Sequence, residues 1–167
     1  SVRLALAGEL VPDAVNVKGG AIAEDVRPGI PLAEKLGRIF TALAGGVAVQ
    51  LDVEVRGEIV QHDVKILELA ALKGVFADVV EDPVTYVNAP TLAREHGVEI
   101  REVNCNTPVD HMNLITIRGG DHDIAGTLGG RRGEARIVTL DGHATDVPPA
   151  TNMLVVRNDD RPGMIGV

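Results

Sequence analysis

A chain of 167 residues with 45% hydrophobic and 24% charged side chains has a globular composition, long enough for one ordinary domain with attachments. A formal net charge of −8 repels phosphate backbones, and two Phe, one Tyr and no Trp leave few rings on which bases could stack. Nucleic acid is therefore excluded as a partner, and the core must be aliphatic. Cys105 is the single cysteine, which rules out an intrachain disulfide or a multi-thiolate metal site; it is expected to be a small, half-buried hydrophobe. No stretch is apolar enough to span a bilayer, and SVRLALAGEL lacks the length and cleavage site of a signal peptide, so no membrane partner and a cytoplasmic setting are expected.

Val2, Ala5, Leu6 and Leu10 keep helical spacing until Val11-Pro12-Asp13, so residues 1–17 read as the end of a helix and a linker belonging to a body upstream. Pro31 starts an amphipathic helix in which Leu32, Leu36, Ile39, Phe40 and Leu43 share one face, and Gly45-Gly46 ends it. Val47, Val49, Leu51, Val53 and Val55 alternate with polar residues as a strand with one buried side. Asp63 caps a second helix over 64–76, whose Leu67, Ala70, Ala71 and Gly74 form a smooth face for close packing. Asn88 caps a third, short helix with Pro90 in its first turn and Gly97 at its C′ position.

From Val98 the pattern turns to strands, around Val98–Val103, Leu114–Arg118, Ile124–Leu128, Arg136–Leu140 and His143–Val147. The last two are joined by Asp141-Gly142, a dipeptide favoured by type I′ turns. The order predicts an α+β fold, an antiparallel sheet with helices packed on one face. After Pro148-Pro149, Met153–Val156 reads as a buried strand, followed by an Asn158–Gly163 turn and a helix start.

No dinucleotide fingerprint, phosphate loop, zinc-helix motif or nucleophile elbow is present, and the five histidines show no metal-pair spacing, so no catalytic residue and no metal ligand is assigned. Arg131, Arg132 and Arg136, with Arg118 a strand earlier and His143 across the hairpin, form the one local positive cluster. Guanidinium groups there suit bidentate contact with a phosphate or carboxylate; the alternative is a solvated loop and strand face. The turn at Asn158–Gly163 sets backbone N–H groups beside carboxylates, which suits a small zwitterion as well as an ordinary Asx turn.

Three stretches, SVRLALAGELVPDAVNV, LELAALKGVFADVVEDPVTYVNAPTLAREHGVEI and LVVRNDDRPGMIGV, resemble the long form of D-3-phosphoglycerate dehydrogenase. The resemblance implies three parts: exit helix and linker (1–17), intervening allosteric domain (18–149), and the first strand and helix start of an ACT domain with ferredoxin-like fold (150–167). It implies a regulatory, non-catalytic segment of an NAD-dependent oxidoreductase of serine synthesis, with NAD and the catalytic residues in the upstream body and no cofactor here. It also implies a homo-oligomer with two effectors, a phosphate-bearing anion and L-serine. The family's basic strand residue corresponds to Arg136, with Arg131, Arg132 and His143 as further candidates; a second basic position corresponds to Pro148. The partial serine site corresponds to Asn158, Asp160 and Gly163. Two rival readings are the β-domain of an iron–sulfur L-serine dehydratase and a structural oligomerisation spacer.

Overall fold

The computed structural model describes residues 22–105, 113–129 and 133–156. The expected exit helix, the arginines at 131 and 132, and the Asn158–Gly163 turn lie outside those residues. Helix α1 (Gly29–Ala44) follows from the apolar stripe, burying Leu32, Ala33, Leu36 and Phe40, and ends at Gly45 with φ of 68°. Strand β1 (Gln50–Gly57) buries Leu51, Val53 and Val55 in alternation, while Val49 stays outside the strand and exposed.

Helix α2 (Lys65–Phe76) begins one residue later than expected, and the Asp63 carboxylate accepts from the Lys65 backbone N–H at 3.0 Å. Helix α3 (Ala89–Glu95) has Pro90 in its first turn and Gly97 with φ of 68° beyond its end. Its expected cap behaves differently. Asn88 points back into its own approach loop, accepting from the Thr85 N–H at 2.7 Å and donating to the Pro83 carbonyl at 3.0 Å.

The strands that follow are β2 (Glu99–Cys105), β3 (Asn113–Gly119), β4 (His122–Gly129), β5 (Glu134–Leu140) and β6 (His143–Val147). They join β1 in a six-stranded sheet of order β2-β1-β3-β4-β5-β6. The α+β class is as expected. Four of the pairings are antiparallel, but β1–β2 is parallel, because the chain leaves β1 and returns through α2 and α3, a crossover that restores its direction.

One face of the sheet, built from Val53, Val55, Ile115, Ile117, Ile124, Gly126 and Ile137, meets the helices. Helix α1 lies over β3 and β4, so close that a Cβ on Gly126 would stand 3.1 Å from both the Leu32 and Leu36 Cδ1 atoms. Helix α2 packs against α1 through the smooth face anticipated from Ala70, Ala71 and Gly74. A Cβ on Gly37 would meet the Ala71 carbonyl oxygen at 2.1 Å, and one on Gly74 would meet the Glu34 carbonyl oxygen at 2.0 Å. The two backbones therefore touch.

Met153–Val156 is not a buried strand. The stretch carries no strand pairing, and Leu154 and Val156 are 89% and 73% exposed. A strand needs a hydrogen-bonded neighbour, and among the described residues none runs beside it. Instead the chain passes along α1: Lys35 Nζ donates to the Pro149 carbonyl at 3.4 Å, and Met153 and Val155 line a cleft of about 750 Å³ with Ile39, Ala42 and Leu43.

Candidate functional site: a bulged pocket on the open sheet face

The opposite face of the sheet has no helix over it among the described residues, and its chemistry divides into two groups. Towards β1, Glu54 is buried beneath two arginines. Arg118 Nη1 lies 2.5 Å from one carboxylate oxygen and Arg56 Nε bonds the other. Burial raises the Glu54 carboxyl, but the hydrogen bonds from Arg118 and Arg56 outweigh it and hold the group below its ordinary range. Arg118, a member of the expected basic cluster, is thus committed to Glu54. Cys105 is half-buried and registered opposite Arg56.

Towards β6 lies the second group, around Arg136. Two register shifts fall beside Val138, one between β4 and β5 at Ala125/Gly126 and one between β5 and β6 at Ile137/Thr139. Bulges bend strands and re-aim side chains. Here they bound a cavity of about 490 Å³ lined by Thr127, Gly129, Glu134, Arg136, Val138, Ala144, Thr145 and Asp146.

The bulge decides what Arg136 touches. The Asp141-Gly142 turn has φ of 47° and 74°, as a type I′ turn requires, and pairs Leu140 with His143. Continuing that register unbroken would oppose Arg136 to Val147 and send Asp146 to the helix side. The extra residue in β6 pairs Ile137 with Val147 instead. Asp146, one residue before Val147, thereby comes to the Arg136 side of the sheet. Arg136 Nε then donates to Asp146 Oδ1 at 2.6 Å, and Nη2 donates to the Asp146 carbonyl at 3.0 Å. That hydrogen bond holds the guanidinium above its ordinary range, with the charges of Asp146 and Glu134 adding to the shift.

Not all the expected site residues converge. His143 does not line this cavity: its partner Leu140 sits four residues along β5 from Arg136, roughly 13 Å at about 3.3 Å per residue. Arg131, Arg132, Asn158, Asp160 and Gly163 lie outside the described residues. Sequence reasoning missed Glu134, Thr127 and Asp146 as neighbours of Arg136. Glu134 was open to detection, being two residues away on one strand face; Asp146 was not, because only the bulge turns it inward. Among the described residues no group of three His, Cys, Asp or Glu side chains could hold a metal ion. No helix among them is long and apolar enough to cross a membrane.

With this architecture in view, comparison with known proteins is direct. The family model of the D-3-phosphoglycerate dehydrogenase intervening domain matches residues 25–141, which takes in every element from α1 to the turn between β5 and β6. The chain belongs to that family. The D-3-phosphoglycerate dehydrogenase of Mycobacterium leprae is 44% identical over 171 residues, covering 99% of this chain and 32% of the relative. That of Mycobacterium tuberculosis is 42% identical over the same shares, and that of Synechocystis is 33% identical over 99% of this chain and 31% of its own length. The chain therefore spans about a third of the length of the curated relatives it matches. The match to the intervening-domain family favours the phosphoglycerate dehydrogenase reading over that of an iron–sulfur dehydratase.

Proposed function

We propose that this chain is a regulatory, non-catalytic segment of an NAD-dependent D-3-phosphoglycerate dehydrogenase of serine biosynthesis, and that its intervening domain binds a phosphate-bearing, substrate-like anion at Arg136. The supporting observation is Arg136 itself: a guanidinium about a third exposed, at the wall of a bulged concavity that the Thr145 side chain also lines. A planar fork whose Nε already holds one carboxylate oxygen suits an anion that presents the same kind of acceptor. Arg131 and Arg132, three and two residues before β5 in the sequence, are the further cations of this reading, and His143 is the most distant.

In the whole protein the anion acts at one site and L-serine at another, the latter assembled between subunits of a homo-oligomer from Asn158, Asp160 and Gly163 together with residues of the ACT domain. Each effector biases the arrangement of the domains and so the distant active site, where NAD is held. The setting is the cytoplasm. Calorimetric titration of the chain with 3-phosphoglycerate and with phosphohydroxypyruvate tests the anion site. Binding by the native chain and its loss in Arg136→Ala is the expected result; no binding of either compound by the native chain removes the proposal.

A further inference from the structure

Helix α1 stands between the strand that carries Arg136 and the segment that follows β6. On its inner side, Leu32 and Leu36 rest at Gly126, on the β4–β5 register shift. A Cβ there would stand 3.1 Å from both leucine Cδ1 atoms and 3.1 Å from the Arg136 carbonyl oxygen. The backbone of Arg136 and the helix thus meet at one point. On its outer side, Lys35 Nζ donates to the carbonyl of buried Pro149 at 3.4 Å, and Ile39 and Leu43 share the cleft of about 750 Å³ with Met153 and Val155. Exposure alternates along this run: Met153 and Val155 are 38% and 39% exposed, Leu154 and Val156 far more, so one side of the run is turned to the helix. Residues 149–156 form a strap, anchored at Pro149 and only half seated beyond it.

Between these two sides α1 is stiff. Gly37 holds it backbone to backbone against α2, and a close-packed interior passes strain on rather than absorbing it. A ligand that orders the β4–β5 bulge steadies the floor under α1, and a strap settling on a steadier helix gives up less freedom in doing so. On the reading of Arg136 as an anion receptor, we propose that α1 couples that site to the strap: an anion at Arg136 and a strap seated against Ile39 and Leu43 each favour the other. Coupling of this kind is reciprocal, so one factor governs both directions.

Two measurements read that factor. The first is calorimetric titration of 3-phosphoglycerate into the native chain and two double variants, with circular dichroism confirming that each is folded. Met153→Gln/Val155→Gln removes the strap's apolar contacts with the cleft, and Leu154→Gln/Val156→Gln alters only its outward side. The second is the rate of maleimide labelling of Val155→Cys, with Leu154→Cys as control, both in a Cys105→Ala background, with and without 3-phosphoglycerate. A coupling at the low end of the usual range predicts about fivefold weaker binding by Met153→Gln/Val155→Gln, and about fivefold slower labelling at position 155 when the ligand is present. The outward variant is expected to bind as the native chain does, and labelling at position 154 to stay unchanged. Unchanged or tighter binding by Met153→Gln/Val155→Gln overturns the proposal, as does equal weakening in the outward variant. Labelling at position 155 that the ligand leaves unchanged or speeds overturns it independently of either double variant. In each of these cases the anion site itself stands, because the native chain binds. No binding of 3-phosphoglycerate by the native chain overturns the anion reading and this proposal together.

Discussion

Gly37→Ala places a methyl group where α1 and α2 touch backbone to backbone. The new Cβ would stand 2.1 Å from the Ala71 carbonyl oxygen and 2.8 Å from the Val75 nitrogen, neither of which belongs to a side chain that can turn aside. Restoring an ordinary contact distance needs the helices to part by about 1 Å, and a gap of about that size forfeits between a quarter and a half of the dispersion well of each facing atom pair. Inserting a carbon into a well-packed core costs about 1–3 kcal/mol, and the rigidity of this contact puts the cost near 3 kcal/mol. Alanine's better helix propensity returns about 1 kcal/mol. The net expectation is a destabilisation of about 2 kcal/mol, seen in urea unfolding as a midpoint lower by about 1 M at an unchanged slope. Gly74→Ala, whose Cβ would meet the Glu34 carbonyl oxygen at 2.0 Å, should do the same from the other side. Because one separation relieves both clashes, the double variant should lose less than the sum of the two. A midpoint for Gly37→Ala equal to or above that of the native chain would refute the account of this interface.

Leu36 is fully buried between α1 and the sheet, so Leu36→Ala should cost about 2–5 kcal/mol in the same unfolding assay. The lowered Glu54 carboxyl makes a pH prediction: stability that depends on its ionised form is present above the unfolded value and is lost as pH falls through the folded one. Glu54→Gln should therefore flatten the acid branch of a plot of urea midpoint against pH below about 4.5 while lowering the plateau above it; an acid branch as steep as the native one would count against the Arg118–Glu54–Arg56 cluster as its source. Asp141 carries a positive φ in the β5–β6 turn and accepts from the Asp123 N–H at 3.2 Å and bonds the His122 ring at 3.0 Å, so Asp141→Ala should lose about 1–2 kcal/mol on thermal or urea unfolding.

Much of the fold was legible because local pattern and tertiary demand agree. The stripe on α1, the alternation of β1 and the Asp141-Gly142 turn each carry their own structural reason within a few residues. Gly74 could be read as a close-approach residue, and the structure puts Gly37 opposite it. What was not legible depends on register. The direction of β2 relative to β1 is set by how α2 and α3 carry the chain across, which periodicity does not record. The commitment of Arg118 to Glu54 joins residues sixty-four positions apart. At the candidate site, Arg136 stood out as a cation in an acidic chain, yet its immediate partner did not, since an unbulged hairpin would have put Asp146 on the other face. Met153–Val156 shows the converse: an apolar run names a strand only where another strand is available to pair with it.

The parallel pairing of β1 with β2 also sets an order of events for folding. Strands β3 to β6 form a meander whose turns at Gly120-Asp121 and Asp141-Gly142 close short loops, so their contacts cost little chain entropy to reach. Strand β2 can join only after the whole crossover through α2 and α3 has been gathered in, and β1 has no neighbour but β2 on that side. Contacts of long sequence separation are the slow ones to form. The half of the sheet that carries Arg136 is thus the half with the local contacts, and in refolding from denaturant its strand pairings are expected to form before those of the β1–β2 edge.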